Sequence, residues 1–197
     1  MISKSDVMYS LQKELGSFFQ TEMHSNLDFY RYINSAIEHI YNFRDWEFNK
    51  VSYSFIYNAP NTESTLPIYC LKTFWVKLSG EKKTILDNES WFVLDDHTNC
   101  VGIFGNKFIS EETGTYSILH TPAPATVDET VDVINMPINF KRTIEELANM
   151  FGYQDLKLYD KAAEKKWSAE WTMNRLASRA SNPRPNRELR IWANHKI

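Results

Sequence analysis

Glycine is scarce in this chain of 197 residues, with 6 in all, where an average chain carries roughly 7%. A loop that cradles phosphate needs several glycines within a few positions. No Walker loop and no Gly-x-Gly-x-x-Gly run is present, so a nucleotide-binding loop of either kind is excluded. Cysteine is scarcer still. Cys70 and Cys100 are too few for a disulfide scaffold and read as reduced, buried thiols of a chain made inside a cell. No stretch approaches the ~18 apolar residues of a membrane span. The segment Met1-Ile2-Ser3-Lys4-Ser5-Asp6 has no apolar signal core, so the expectation is a soluble, unsecreted product.

Aromatic residues are abundant: 12 Phe, 10 Tyr and 6 Trp make 14% of the chain. Rings bring large contact area at low side-chain entropy cost, which suits a protein that packs against others. Basic charge is concentrated at one end. Arg175, Arg179, Arg184, Arg187, Arg190 and Lys196 stand against the single acid Glu188 from Asn174 onward, +5, which leaves 16 basic and 24 acidic residues, −8, in the remainder. An acidic body argues against a general nucleic-acid-binding surface, and a basic tail is a layout for interaction.

Periodicity divides the chain. Val7, Met8, Leu11 and Leu15 follow the cap candidate Ser5-Asp6 at helical spacing and end at Gly16. Leu27, Tyr30, Ile33, Ile37, Ile40 and Tyr41 draw one apolar stripe over a second helix. From Phe48 the period becomes two. Val51, Tyr53, Phe55 and Tyr57 alternate with serines, Ile68–Lys77 is a second such run, and shorter candidates lie at Lys83–Leu86, Ser90–Leu94, Cys100–Phe104, Lys107–Ser110 and Tyr116–His120. Turn signals between them, such as Gly105-Asn106, predict an antiparallel sandwich or small barrel. Helical pattern returns after Pro137, with Phe140, Ile144, Leu147, Ala148 and Phe151 stopped at Gly152, then Leu158, Tyr159, Ala162, Ala163, Trp167, Trp171 and Leu176. Prolines in Asn182-Pro183-Arg184-Pro185 forbid helix interior beyond that point. The expected organisation is two helices in residues 1–47, a β insertion in 48–135, two helices in 136–179 and an extended basic tail in 180–197. The expected fold is therefore α+β but mainly helical: a four-helix bundle with an antiparallel β insertion between helices 2 and 3.

Candidate chemistry is sparse. His97 and Cys100 form one close pair, but zinc wants a second pair that is missing. Asp95-Asp96, Glu111-Glu112 and Asp128-Glu129 are adjacent in sequence, so on a strand their members face opposite ways, and solvated turn acids are the better reading. A metal-dependent hydrolase would have to be built from Asp95, His97 and Glu112. Rings and lysines alternate from Tyr69 to Lys77, as in a single-strand-binding sheet, yet the acidic body favours a core strand with exposed lysines. Trp167 and Trp171, one turn apart, suit either a core or a neighbouring subunit. In the tail, Leu189, Ile191 and Trp192 lie among arginines, as a segment does that buries apolar anchors in a groove while Arg184, Arg187 and Arg190 meet carboxylates.

These pieces together resemble a known family. Residues Leu27 to Phe48, with Ile33-Asn34-Ser35-Ala36 and the corner Arg44-Asp45-Trp46-Glu47-Phe48, are similar to the second helix of tailed-phage head-to-tail connector proteins, also called adaptors or gatekeepers. Tyr116 to Pro124 resembles their strand with a Pro-x-Pro exit, and Met136-Pro137-Ile138-Asn139-Phe140 resembles the lead-in to their third helix. The resemblance covers residues 25–50 and 115–175. It implies a four-helix bundle with a β insertion, assembled as a dodecameric ring of copies of itself beneath the portal protein. The tail would embrace the portal, the other end would receive a tail-tube or nozzle protein, and DNA would pass through the lumen unbound. It further implies a structural protein of the virion, made in the host cytoplasm, with no catalytic centre, metal, cofactor or membrane contact. Trp46 and Phe48 would pin the helix-to-sheet corner. The alternative is a tail-completion or nozzle component on the tail side, whose β part is the main interface.

Overall fold

The computed structural model describes residues 1–16, 18, 26–78, 81–82, 84–85, 91–93 and 100–181; residues 26–27, 81–82, 84–85, 91–93, 100 and 179–181 are described by backbone alone. Two compact units divide the chain: one from Met1–Phe43 with the chain from Thr126 onward, and one from Arg44–Ala125.

Among the described residues of the first unit are four helices, α1 (Lys4–Leu15), α2 (Asn26–Phe43), α3 (Lys141–Asp155) and α4 (Tyr159–Ser181), and two short strands, β1 (Ile2–Ser3) and β9 (Val133–Ile134). The strands pair antiparallel, Ile2 opposite Ile134. Apolar spacing decides which faces are buried. Val7, Met8, Leu11 and Leu15 of α1, and Ile33, Ile37 and Ile40 of α2, are buried at steps of three and four. Ser3, ahead of Ser5-Asp6, occupies the N-cap of α1; its hydroxyl lies 2.7 Å from that of Ser5 rather than capping a backbone amide.

The helices do not make the expected four-helix bundle. The protein is α+β, with four helices and two antiparallel sheets, and it is not mainly helical. In a bundle each helix presents one apolar stripe to a shared axis. Here α3 is buried around most of its circumference, polar Thr143, Glu146 and Asn149 included, and α1, α2 and α4 each pack upon it. A central helix with three clients replaces the shared core. Gly152 is the sharpest instance. It does not stop α3, which continues to Asp155; a Cβ there would overlap the buried Leu15 side chain, so glycine is what lets α1 approach. The chain turns instead at Lys157, whose φ of 59° is left-handed, with Leu158 N–H bonding Tyr153 C=O at 2.9 Å.

The second unit holds β2 (Val51–Tyr57), β3 (Ser64–Leu78), β4 (Glu81–Lys82), β5 (Thr84–Ile85), β6 (Trp91–Val93), β7 (Cys100–Ser110) and β8 (Gly114–Pro122). They form one seven-stranded sheet in the order β2-β8-β3-β7-β6-β5, with β4 paired to β3. β2 and β8 pair without a slip from Val51↔His120 to Tyr57↔Gly114. β3 carries register shifts between Cys70 and Lys72 and between Thr73 and Trp75. The two predicted runs Cys100–Phe104 and Lys107–Ser110 are one strand. Gly105, at φ 63° and paired with Cys70, makes an irregularity within it rather than a turn, and the Tyr69 ring closes over the space a Cβ would need. The core is aromatic: Phe108 meets Phe55 at 4.7 Å and Tyr116 at 4.9 Å, edge to face, among Val76, Val101, Ile103 and Ile118.

Candidate interaction surfaces

Three residues of the first unit set its joints. Asn34 points from α2 to the segment after β8, where its amide donates to Val127 C=O at 2.9 Å and accepts from Val127 N–H at 2.8 Å. One side chain thereby satisfies both backbone groups of a residue outside any sheet. Asp155 at the end of α3 takes an ion pair from Arg31 and a 2.9 Å hydrogen bond from Tyr32, whose hydroxyl is pushed up to about 12, chiefly by burial. Lys4 Nζ donates to the carbonyls of Asp128 and Glu129 at 2.9 and 3.1 Å.

The acidic pairs fare differently. Asp128 accepts from Thr130 N–H at 2.8 Å and Thr130 Oγ1 at 2.6 Å, bonds that hold its carboxyl below the usual range. That is an Asx turn, closed by its own chain. Glu112 lies where Ser110 Oγ accepts its N–H and Tyr116 Oη donates to its carbonyl. Asp95 and His97, proposed with it as hydrolase ligands, lie outside the described residues. Among the described residues there is no group of three or more His, Cys, Asp or Glu that could hold a metal ion. Cys70 is buried, and burial raises its thiol to about 11, so it is inert as a nucleophile at neutral pH.

In the second unit, Trp46 is buried and stacks on Phe48 at 6.1 Å. The neighbouring lysines are engaged locally. Lys72 pairs with Asp45 and lies over Phe74, Lys50 bonds Glu47 at 2.5 Å and lies over the same ring, and Lys77 sits 5.0 Å from the Trp75 ring centre. Rings and lysines alternate here because each cation covers an aromatic face of its own unit. Sequence reasoning missed a different feature of this unit: Ile56, Tyr69, Leu71 and Phe104 are apolar and exposed. Period two alone carried the signal for Ile56, which falls on the serine face of β2 with Ser52 and Ser54.

Helix α4 has two faces. Ala162, Ala169, Met173 and Ala177 are buried, and Trp167 and Trp171 on the opposite side are 70% and 53% exposed. The two tryptophans are therefore surface residues, with Arg175 over the Trp171 ring at 5.4 Å. The tail residues Arg184, Arg187, Leu189, Arg190, Ile191 and Trp192 lie outside the described residues. No family model and no curated protein matches the chain. No helix among the described residues is long and apolar enough to cross a membrane.

Proposed function

We propose that this chain is a structural connector of the phage neck, a ring-forming head-to-tail adaptor that docks on the portal through its C-terminal tail, joins it to the tail-tube or nozzle protein and conducts DNA. The observation that carries the reading is where the connector-like residues fall. Asn34, from the Ile-Asn-x-Ala run, clamps the backbone of Val127; Trp46 and Phe48, from the corner run, stack on one another; Phe140, at the lead-in, is buried with its N–H on Pro137 C=O at 2.9 Å. Trp46, Phe48 and Phe140 sit where one element passes the chain to the next, and Asn34, midway along α2, ties that helix to the segment after β8, so the connector-like residues shape the fold. Charge supports the same reading. A body at −8 does not attract phosphate, so DNA would pass such a lumen without the counterion-releasing contacts that Lys and Arg make.

Deleting residues 182–197 tests it. The shortened chain should unfold at the same temperature as the whole one, yet be lost from a pull-down with portal protein, while the full chain with portal gives rings of about twelve copies by electron microscopy. A shortened chain that still binds portal rules out docking through the tail. A second reading, a tail-side completion component, is favoured by exposed Ile56, Tyr69, Leu71 and Phe104. Serine at Ile56 and Tyr69 would then block tail joining, and loss of residues 182–197 would not.

A further inference from the structure

The outer face of α4 has a pattern beyond its two tryptophans. At 3.6 residues per turn, Asp160, Glu164, Trp167, Trp171 and Arg175 fall within about 80° of one another, and all five are exposed. Acids occupy the N-terminal third of this stripe, rings the middle and a cation the C-terminal third. The other charges of the helix from Lys161 to Glu170 are engaged within the unit: Lys161 lies over Phe18 at 4.2 Å, Lys165 meets Glu14 at 3.3 Å and Lys166 meets Glu170 at 3.8 Å. Among the described residues, Asp160 and Glu164 have no ion-pair partner.

Such a stripe complements itself only when reversed. Laid antiparallel about a two-fold axis between the tryptophans, Trp167 of one copy meets Trp171 of the other, and Glu164 comes beside the other copy's Arg175. Laid parallel, Glu164 would meet Glu164 and Arg175 would meet Arg175. We infer that the free chain pairs with a second copy through the outer face of α4, antiparallel, with Trp167 and Trp171 at the centre and two Glu164–Arg175 pairs at the ends. The contact runs about 27 Å along the helix from Asp160 to Ser178. At a helix width of about 10 Å it covers roughly 300 Å² per partner, well below the roughly 800 Å² of a standard interface, so the pair forms and parts readily. An isologous contact cannot repeat around a polar ring; assembly into a ring would require the pair to separate first. The pairing does not depend on the connector reading, and the two fail in different assays, one on the chain alone and one with portal.

Sedimentation equilibrium of the full 197-residue chain, over a concentration series, is the test. A monomer–dimer equilibrium is expected. Trp167→Ala should weaken it about thirtyfold or more, as loss of a central ring does. Glu164→Arg should weaken it, Arg175→Glu likewise, and the double variant carrying both should restore it, because each copy then offers the exchanged charges to the other. All of these positions are exposed, and circular dichroism should be unchanged in every variant. A chain that stays monomeric throughout overturns the proposal. So does a chain that pairs only after residues 182–197 are removed, since its own tail would then be the occupant. Failure of the double variant to restore pairing overturns the antiparallel arrangement.

Discussion

Two polar residues, His120 buried and Asn34 half-buried, show what local pattern can and cannot say. His120 follows Tyr116 and Ile118 at period two on β8, so alternation alone sends it inward. Its side chain is buried and neither ring nitrogen meets a partner among the described residues. Burial disfavours the imidazolium and lowers its pKa. The sign of the pH effect follows. The unfolded chain binds a proton near pH 6.5 and the folded one only at lower pH, so stability is complete above 6.5 and falls as pH drops below it, by up to about 1.4 kcal/mol per pH unit. His39, on α2, is lowered for the same reason and adds to the slope. His120→Leu should make the fall in unfolding temperature between pH 6.5 and 5 shallower than in the unaltered chain; an equal slope would assign the loss to other groups. Asn34 is the opposite case. Its partner Val127 lies 93 positions away, and from spacing alone Asn34 is merely a polar residue beside an apolar stripe.

Elements follow the same division. The stripes of α1 and α2 and the alternation of β2 were legible because each needs only its own residues. Gly152 was not. Glycine late in an apolar helical run reads as a stop, and the reason it stands within α3 is a side chain of another helix, Leu15. The two meanings predict different mutational outcomes. At a helix end alanine would be tolerated or would strain the turn, whatever occupies position 15. Within α3, Gly152→Ala gains about 1 kcal/mol of helix propensity and loses more than that against the fully buried Leu15, whose Cδ1 the new Cβ would overlap. Urea unfolding of Gly152→Ala, Leu15→Ala and the double variant should therefore be non-additive. Alanine at 152 should cost stability when Leu15 is present and be neutral or favourable when position 15 is alanine, with an interaction energy of about 1 kcal/mol or more. Additive effects would mean that Gly152 and Leu15 do not touch.

At the scale of the molecule, the order of helical and β segments was legible and the architecture was not. Four amphipathic stripes are compatible with a shared axis, and also with three helices on a fourth. What separates these is how completely each helix is enclosed. The polar residues buried on α3 hid that enclosure, since Glu146 reads as surface until Arg142 Nε at 2.9 Å and Ser168 Oγ at 2.8 Å are seen to hold it. The same arrangement makes a prediction about the first unit as a whole. Its buried set comes from residues before Phe43 and after Thr126, with Asn34 and Val127 already joined. Phe43 lies nine residues beyond Asn34, about 14 Å along the helix. A Gly/Ser linker of about ten residues has a mean span near 18 Å, enough to carry the chain from Phe43 back to Thr126. Replacing residues 44–125 by such a linker should give a helical protein that unfolds in one cooperative step, because α3 keeps all three of its neighbours. Helical circular dichroism without a cooperative transition would mean instead that the sheet unit is needed to hold α2 and the segment around Val127 in place. In that event the Asn34 clamp depends on the β insertion rather than standing without it.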